Sequence, residues 1–483
     1  MRKPLRFWGI FFWKRRAAKS GFWKNTGKKR QSLRHSHRGD KEKMNKRIAK
    51  TVLHALAGGT VPDNGLQYIA VGRKDEVAAI THDMDQISEG YSTFRLLEGA
   101  YGTGKSFMAK LVKNEALLRG FVVMECELAP ERKLCGTKKE GLETYKCLMS
   151  RMCTRTSPSG NALEEVLDTY LYDCQGHAVQ KGLEDSRDIF NDVLKTGASV
   201  KKKIEALPHG FDFYEVLCRY IHGYILEDIC EKDQALKWFR GEFHNRTEAK
   251  AALRVSAVIG DGDWFSYMKI WAVFMKEIGY QGLYILLDEL TQITRNIVNS
   301  ITREHNFERL LSMYNACYGN EAKYMGIILC GIPSSIHDRR RGIFSYEALR
   351  SRLSNSELQG DEVYRAPVIQ LSMLTAEEFM ALIERLESMH AMLHERETYF
   401  SEEERIQFVN YEYRRIAAAN HLTPREFIRD FLTILDLKST VRKDDTMATF
   451  LGGQKGIALS GSMIGAADRG QEENGGKYEG FTL

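Results

Sequence analysis

Apolar residues return every three or four positions through most of this chain, and the departures from that spacing mark its strands. From Lys46 to Ala57 the spacing is helical, and Gly58-Gly59 followed by Pro62-Asp63-Asn64-Gly65 breaks it. Tyr68-Ile69-Ala70-Val71 reads as a short strand leading into Gly72-Arg73. Val77, Ile80, Met84 and Ile87 restore the helical period up to Gly90. Phe94 to Leu97 is the next predicted strand, and it runs directly into a glycine-rich loop. Met108, Leu111, Val112 and Ala116 then share one face of a helix over 105–119, which Gly120 ends. Phe121 to Glu125 completes a strand, loop, helix, strand unit.

Residues 130–280 are charged and helical in pattern, broken at Ser157-Pro158-Ser159-Gly160 and Asp261-Gly262-Asp263. They read as a helical insertion in the same domain or as a separate module. Leu283 to Leu287 and Tyr324 to Leu329 are unbroken apolar runs, which suit central strands of a parallel sheet covered on both faces. Ile301 to Tyr318 is a helix between them. Residues 372–437 are helical throughout, and eight glycines spaced along 452–476 punctuate the weakly apolar stretch that follows. The expected division is a basic leader over 1–43, a core over 44–369, a small helical lid over 370–437 and a flexible tail over 438–483.

Composition changes this picture in three places. With 483 residues, 43% of them apolar, the chain can bury one large core or two ordinary ones. The first 43 residues hold fifteen Lys and Arg against two acids, so the formal charge of +6 leaves residues 44–483 at −7. Basicity therefore resides in the leader, and the body carries no net excess that would argue for a nucleic-acid partner. The nine cysteines are scattered without a Cys-x-x-Cys pair, as reduced thiols in a cytoplasmic protein would be. No apolar run approaches the roughly 18 to 20 residues of a spanning helix, so no membrane partner is expected. Residues 1–43 read either as an upstream extension, with Met44 as the start, or as a basic arm for nucleic acid or acidic lipid.

Gly99-Ala100-Tyr101-Gly102-Thr103-Gly104-Lys105-Ser106 fits G-x-x-x-x-G-K-[ST]. Glycines let such a loop curl until successive N–H groups face phosphate oxygens, and the helix behind adds its positive end. Lys105 is then the residue for the β- and γ-phosphates of ATP, and the Ser106 hydroxyl a ligand for Mg²⁺. Tyr284-Ile285-Leu286-Leu287-Asp288-Glu289 is a buried strand ending in two carboxylates. Asp288 is the second candidate for the metal, and Glu289 for polarising water. The expected fold class is α/β: a P-loop, AAA+-like parallel-sheet core with a helical insertion and a C-terminal helical lid.

Val71-Gly72-Arg73 with Glu76 resembles the adenine-side element of AAA+ proteins of the origin-recognition initiator branch, which implies nucleotide contacts from Gly72 and Arg73. Over 44–437 the chain resembles the ATP-binding proteins of BREX bacteriophage-resistance systems. That likeness rests on Glu98 to Ser106, Phe121-Val-Val, Ala129-Pro130-Glu131, Trp238 with Gly241-Glu242, Gly279-Tyr280-x-Gly282-Leu283, and Phe344 to Leu353. It implies an ATPase working with other defence proteins, with DNA and a second copy of the chain as candidate partners. Thr423-Pro424-Arg425-Glu426-Phe427 looks like the sensor 2 position, where Arg425 would reach the γ-phosphate; otherwise Arg425 is an exposed residue beside a helix-starting proline. Ile332-Pro333 stands where a polar sensor 1 residue is expected. Arg339-Arg340-Arg341, Arg350 and Arg352 are candidates for an arginine finger, for a phosphate-backbone contact, or for plain solvated surface. Two other readings stay open: a nucleotide-switched scaffold with little turnover, and an initiator-like DNA-binding ATPase.

Overall fold

The computed structural model describes residues 44–354, 366–419 and 423–452. The leader over 1–43 and the tail from 453 lie outside the described residues. Helices α1 (Lys46–Ala57) and α2 (Lys74–Glu89) precede β1 (Ser92–Gly99), which feeds the glycine loop and α3 (Lys105–Leu118), followed by β2 (Val122–Glu127). Tyr68 to Val71, expected as a strand, carries none: a 3₁₀ turn over Leu66–Tyr68 takes its first residue and the chain then passes into α2. Four apolar residues alone do not make a strand, and here no neighbouring strand offers a ladder to them.

The next stretch holds α4 (Glu140–Ser150), β3 (Met152–Cys153) and seven helices: α5 (Leu163–Gln180), α6 (Ser186–Thr196), α7 (Ala198–Glu205), α8 (Gly210–Ile225), α9 (Ile229–Phe239), α10 (Arg246–Leu253) and α11 (Trp264–Glu277). Then come β4 (Leu283–Asp288), α12 (Ser300–Tyr318), β5 (Met325–Gly331), α13 (Pro333–His337), α14 (Glu347–Leu353) and β6 (Val368–Leu371). The strands form one sheet in the order β3-β2-β4-β5-β1-β6, parallel except for the antiparallel β2–β3 pair. β1 and β4 are thus separated by β5. In register, Leu97 lies opposite Cys330, Leu287 opposite Leu329, and Glu127 opposite Asp288, so the carboxyl ends of β1, β2, β4 and β5 come level.

The sheet's two faces are covered unequally. On one, Phe94, Leu96, Met124, Ile285 and Ile327 join a continuous core with the insertion's Tyr145, Phe213, Trp238, Phe239, Trp271 and Phe274. The other face, with Leu97, Val123, Tyr284, Leu286 and Ile328, packs against α2 and α3 through Ile80, Met84, Ile87, Met108 and Val112. Arg95, buried in mid-β1, makes a two-point ion pair with Asp83 of α2, both contacts at 2.7 Å, and so fixes α2 to the loop strand.

Helices α15 (Ala376–Leu393), α16 (Glu402–Ala419), α17 (Pro424–Thr440) and α18 (Met447–Leu451) follow. α15 and α17 each open on a Thr-x-x-Glu capping box, Thr375 with Glu378 and Thr423 with Glu426. Phe379, Phe408, Phe427 and Phe431 form their core as tilted ring pairs, and α1 packs against both α15 and α17. Two edges differ from the expected division. β6 carries residues 370 and 371 into the sheet, and α17 and α18 extend ordered helix past 437, with Met447 and Phe450 fully buried.

Candidate functional site

The glycine loop is shaped by conformations that side chains resist. Gly102 has φ +84° and Gly104, the N-cap of α3, φ +92°, both in the left-handed region. A Cβ on Gly99 would stand 2.2 Å from Thr103 Oγ1. Thr103 is itself buried, its hydroxyl donating to Ala100 O at 3.0 Å, which closes the turn. Ser106 is exposed on the first turn of α3, and Tyr101 stands 71% exposed at the loop's tip.

Lys105 Nζ donates to the carbonyls of Gly99 (2.8 Å) and Ala100 (2.9 Å) and lies 5.4 Å from the centre of the Tyr101 ring. Burial holds its ammonium below the usual lysine range, against the opposing pull of Asp288, Cys330 and Glu289. Burial likewise pushes the Asp288 carboxyl up, with Glu289 adding repulsion, while the Glu289 N–H and Lys105 act the other way. The loop lysine and both acids therefore share one electrostatic environment at the level carboxyl ends of β1, β5 and β4. Cys330, fully buried on β5, feels Asp288 and Lys105, and its thiol is raised well above the ordinary range by burial.

Glu289 is the residue with the least relaxed backbone here, a non-glycine at φ +63°, ψ 52°. Its N–H donates to Asp288 Oδ1 at 2.7 Å. A left-handed glutamate costs on the order of 1 to 3 kcal/mol, and such strain gathers where a side chain must be aimed. Asp288 and Ser106 offer hard oxygen donors of the kind Mg²⁺ takes, and a glycine cradle that added Cβ atoms would fill suits a polyphosphate.

Beside the loop, a cavity of about 600 Å³ lies between the 70–77 segment, the outer face of α3 and the start of α15. Val71, Val77, Ile80, Met108, Leu111 and Ala381 give it apolar walls large enough for a planar base. Gly72, at φ +63°, lies where a Cβ would be 2.0 Å from Glu378 Oε1, so only glycine lets α15 approach this closely.

A family model described as BREX system ATP-binding protein BrxC/D matches residues 44–450. The chain belongs to the BrxC/D family. No curated protein matches the chain. Membership carries ATP binding and a place in a BREX system, and the site can be read with both in view.

In this BrxC/D chain Arg73, only 6% exposed, is a strut rather than a free contact group. Its guanidinium donates to Thr103 O at 2.9 Å and Ser372 O at 2.7 Å and pairs with Glu76 at 3.2 Å, tying loop, sheet end and α2 together. A Cβ on Gly102 would lie 3.2 Å from Thr423 Cβ and 3.3 Å from Pro424 Cδ, so the start of α17 rests on the loop. Arg425 is exposed, its Cδ 3.3 Å from the Cβ that Gly59 lacks, and its guanidinium has no ion-pair partner among the described residues. Arg350 pairs with Glu347 of its own helix at 2.6 Å on the surface.

One pairing escaped the sequence reading. Glu98, buried next to the loop, faces His337 Nε2 at 2.9 Å and accepts from Gln370 at 3.4 Å. It joins β1 to the segment after β5 across 239 residues of chain. An acid immediately before the first loop glycine, in a strand otherwise apolar at that end, was the signal available for it.

Proposed function

We propose that this BrxC/D chain binds Mg-ATP and hydrolyses it, in the cytoplasm, as the motor or switch of a bacteriophage-defence assembly. The observation that supports this most is the shared environment of Lys105, Asp288 and Glu289 at the ends of two strands separated by one other, the arrangement of additional-strand, AAA+-like ATPases. Backbone N–H groups of residues 100–106 hold the phosphates, and Lys105 offsets charge on the β- and γ-oxygens. Ser106 and Asp288 hold the metal, which when bound neutralises phosphate charge. Glu289, held at a left-handed backbone position at the end of β4, accepts the proton of the attacking water. Adenine occupies the cavity over Met108, and Gly72 and Arg73 act on it through the shape of the wall and the loop rather than by direct charge. Arg425 approaches the γ-phosphate as the lid closes, and Arg350 is the arginine offered to a neighbouring copy.

Equilibrium binding of a fluorescent ATP analogue with Mg²⁺, together with phosphate release, tests the reading. Lys105→Ala should weaken binding by about a hundredfold, roughly 2.7 kcal/mol. Glu289→Gln should leave binding within about threefold and slow turnover at least a hundredfold. Binding in Lys105→Ala equal to that of the unaltered chain would sink the assignment; unchanged turnover in Glu289→Gln would leave the binder and remove the hydrolase.

A further inference from the structure

The body of the chain is acidic on balance, yet four exposed arginines, Arg295, Arg339, Arg340 and Arg341, lie on the two loops that leave β4 and β5. Side-chain bonds tie the two loops together, and backbone bonds to one carboxylate brace the arginine run. Arg295 Nη1 donates to Ser334 Oγ at 2.9 Å, and Arg341 Nη1 reaches the backbone carbonyl of Arg295 at 3.4 Å. Asp338, the acid within the group, accepts backbone N–H groups from Arg340 at 2.7 Å and Arg341 at 3.3 Å. Those bonds hold its carboxyl below the usual range, with the Arg295 and Arg340 guanidinium groups contributing further. None of the four arginines forms an ion pair with a carboxylate among the described residues, whereas Arg350 on the following helix does.

Arginines that share one surface without carboxylate partners repel one another, by about 1 kcal/mol for a pair roughly 4 Å apart in water, unless an anion lies across them. Arginine in place of lysine favours phosphate, whose oxygens the guanidinium fork meets two at a time. A single triphosphate in a neighbouring copy would use one such group. A ridge spanning two loops fits a line of phosphates instead. The large apolar side chain exposed on these two loops is Val298, an aliphatic group with no ring to stack on bases.

We infer that Arg295, Arg339, Arg340 and Arg341 form a docking ridge for the phosphodiester backbone of duplex DNA, bound without regard to sequence. The inference does not rest on ATP turnover, because the ridge lies outside the loop and acid pair.

The test uses the full chain and a labelled duplex of about 30 bp, followed by fluorescence anisotropy from low to moderate salt. Arg339→Ala/Arg340→Ala/Arg341→Ala should weaken binding about tenfold or more and lower the slope of log affinity against log salt by about three. Lys201→Ala/Lys202→Ala/Lys203→Ala on α7 removes the same charge from another surface and should change neither by more than about twofold. The basic leader contributes equally to all three proteins. Melting temperatures confirm folding, and Arg339→Lys/Arg340→Lys/Arg341→Lys should retain most of the slope. The proposal is overturned if the arginine variant binds as the unaltered chain does, if the α7 variant weakens as much, or if the unaltered chain fails to bind at low salt. Lys105→Ala should bind DNA normally, so a failure of the ATP assignment and a failure of this one are read separately.

Discussion

The two faces of the sheet solve different problems. On the insertion side, Trp271 lies among Phe213, Phe239 and Phe274 with ring centroids 4.9 to 5.8 Å apart, and its indole N–H reaches Tyr145 OH at 3.3 Å. On the loop side, two helices with slender methionine and aliphatic contacts stop short and leave a cavity of about 600 Å³. The aromatic packing is densest on the insertion side, and the loop side is held by a few directional clamps: Arg73, the Arg95–Asp83 pair and Glu98–His337. Dense aromatic packing tolerates no opening, whereas polar clamps can hold geometry around a gap.

Substitutions can separate the two roles. The largest effect is expected for Trp271→Ala, about 3 to 5 kcal/mol of stability in a denaturant titration, with ATP affinity unchanged in whatever fraction remains folded. Met108→Ala, on the cavity wall, should cost about 2 kcal/mol and also weaken ATP. If it were to lower stability as much as Trp271→Ala while sparing ATP affinity, the contrast between the faces would be lost. Arg73→Gln should reduce ATP affinity about tenfold, near 1.4 kcal/mol, because Thr103 O and Ser372 O lose their donor and the loop loosens. Titration by calorimetry reads that loss, and an effect confined to melting temperature would make Arg73 a matter of folding alone.

A separate effect is one of pH, in the lid. Burial raises the Glu412 carboxyl from 4.5 to about 7, with Asp430 and Glu426 adding to the rise and Arg415, 2.5 Å away, opposing it. The folded chain therefore holds a proton there that the unfolded chain has released. Glu412's contribution to stability is fully present below about 4.5 and declines as pH rises to about 7. Melting curves across that window should show the decline in the unaltered chain and a flatter line in Glu412→Gln.

Much of the core was legible because its signals are local. The loop glycines, the strand on each side of α3 and the apolar run ending at Asp288 each declare themselves within a few residues. β3 and β6, two and four residues long, exist because β2 and β1 offer them a ladder, which no periodicity announces. Residues 69–71 show the converse, strand-forming types without a partner strand. For the candidate site, residue types pointed to Lys105, Asp288 and Glu289, but they could not show that Arg73 spends its guanidinium on carbonyls, or that Glu98 meets a histidine 239 residues away. Arg425 and Arg350 are named by sequence patterns and stand exposed, so their proposed contacts await a closed lid or a neighbouring copy.

The lone strand between the phosphate loop and the acid pair acts as a spacer of fixed width. Neighbouring strands stand about 4.8 Å apart, so two steps set the halves of the site roughly 10 Å from each other, a gap that a polyphosphate and its metal can fill. Neither half touches the other through backbone, and Cys330 occupies the midpoint. The chain thus keeps the two halves of the proposed site in step through one shared ruler, and a one-residue slip of β5 would put both out of measure together.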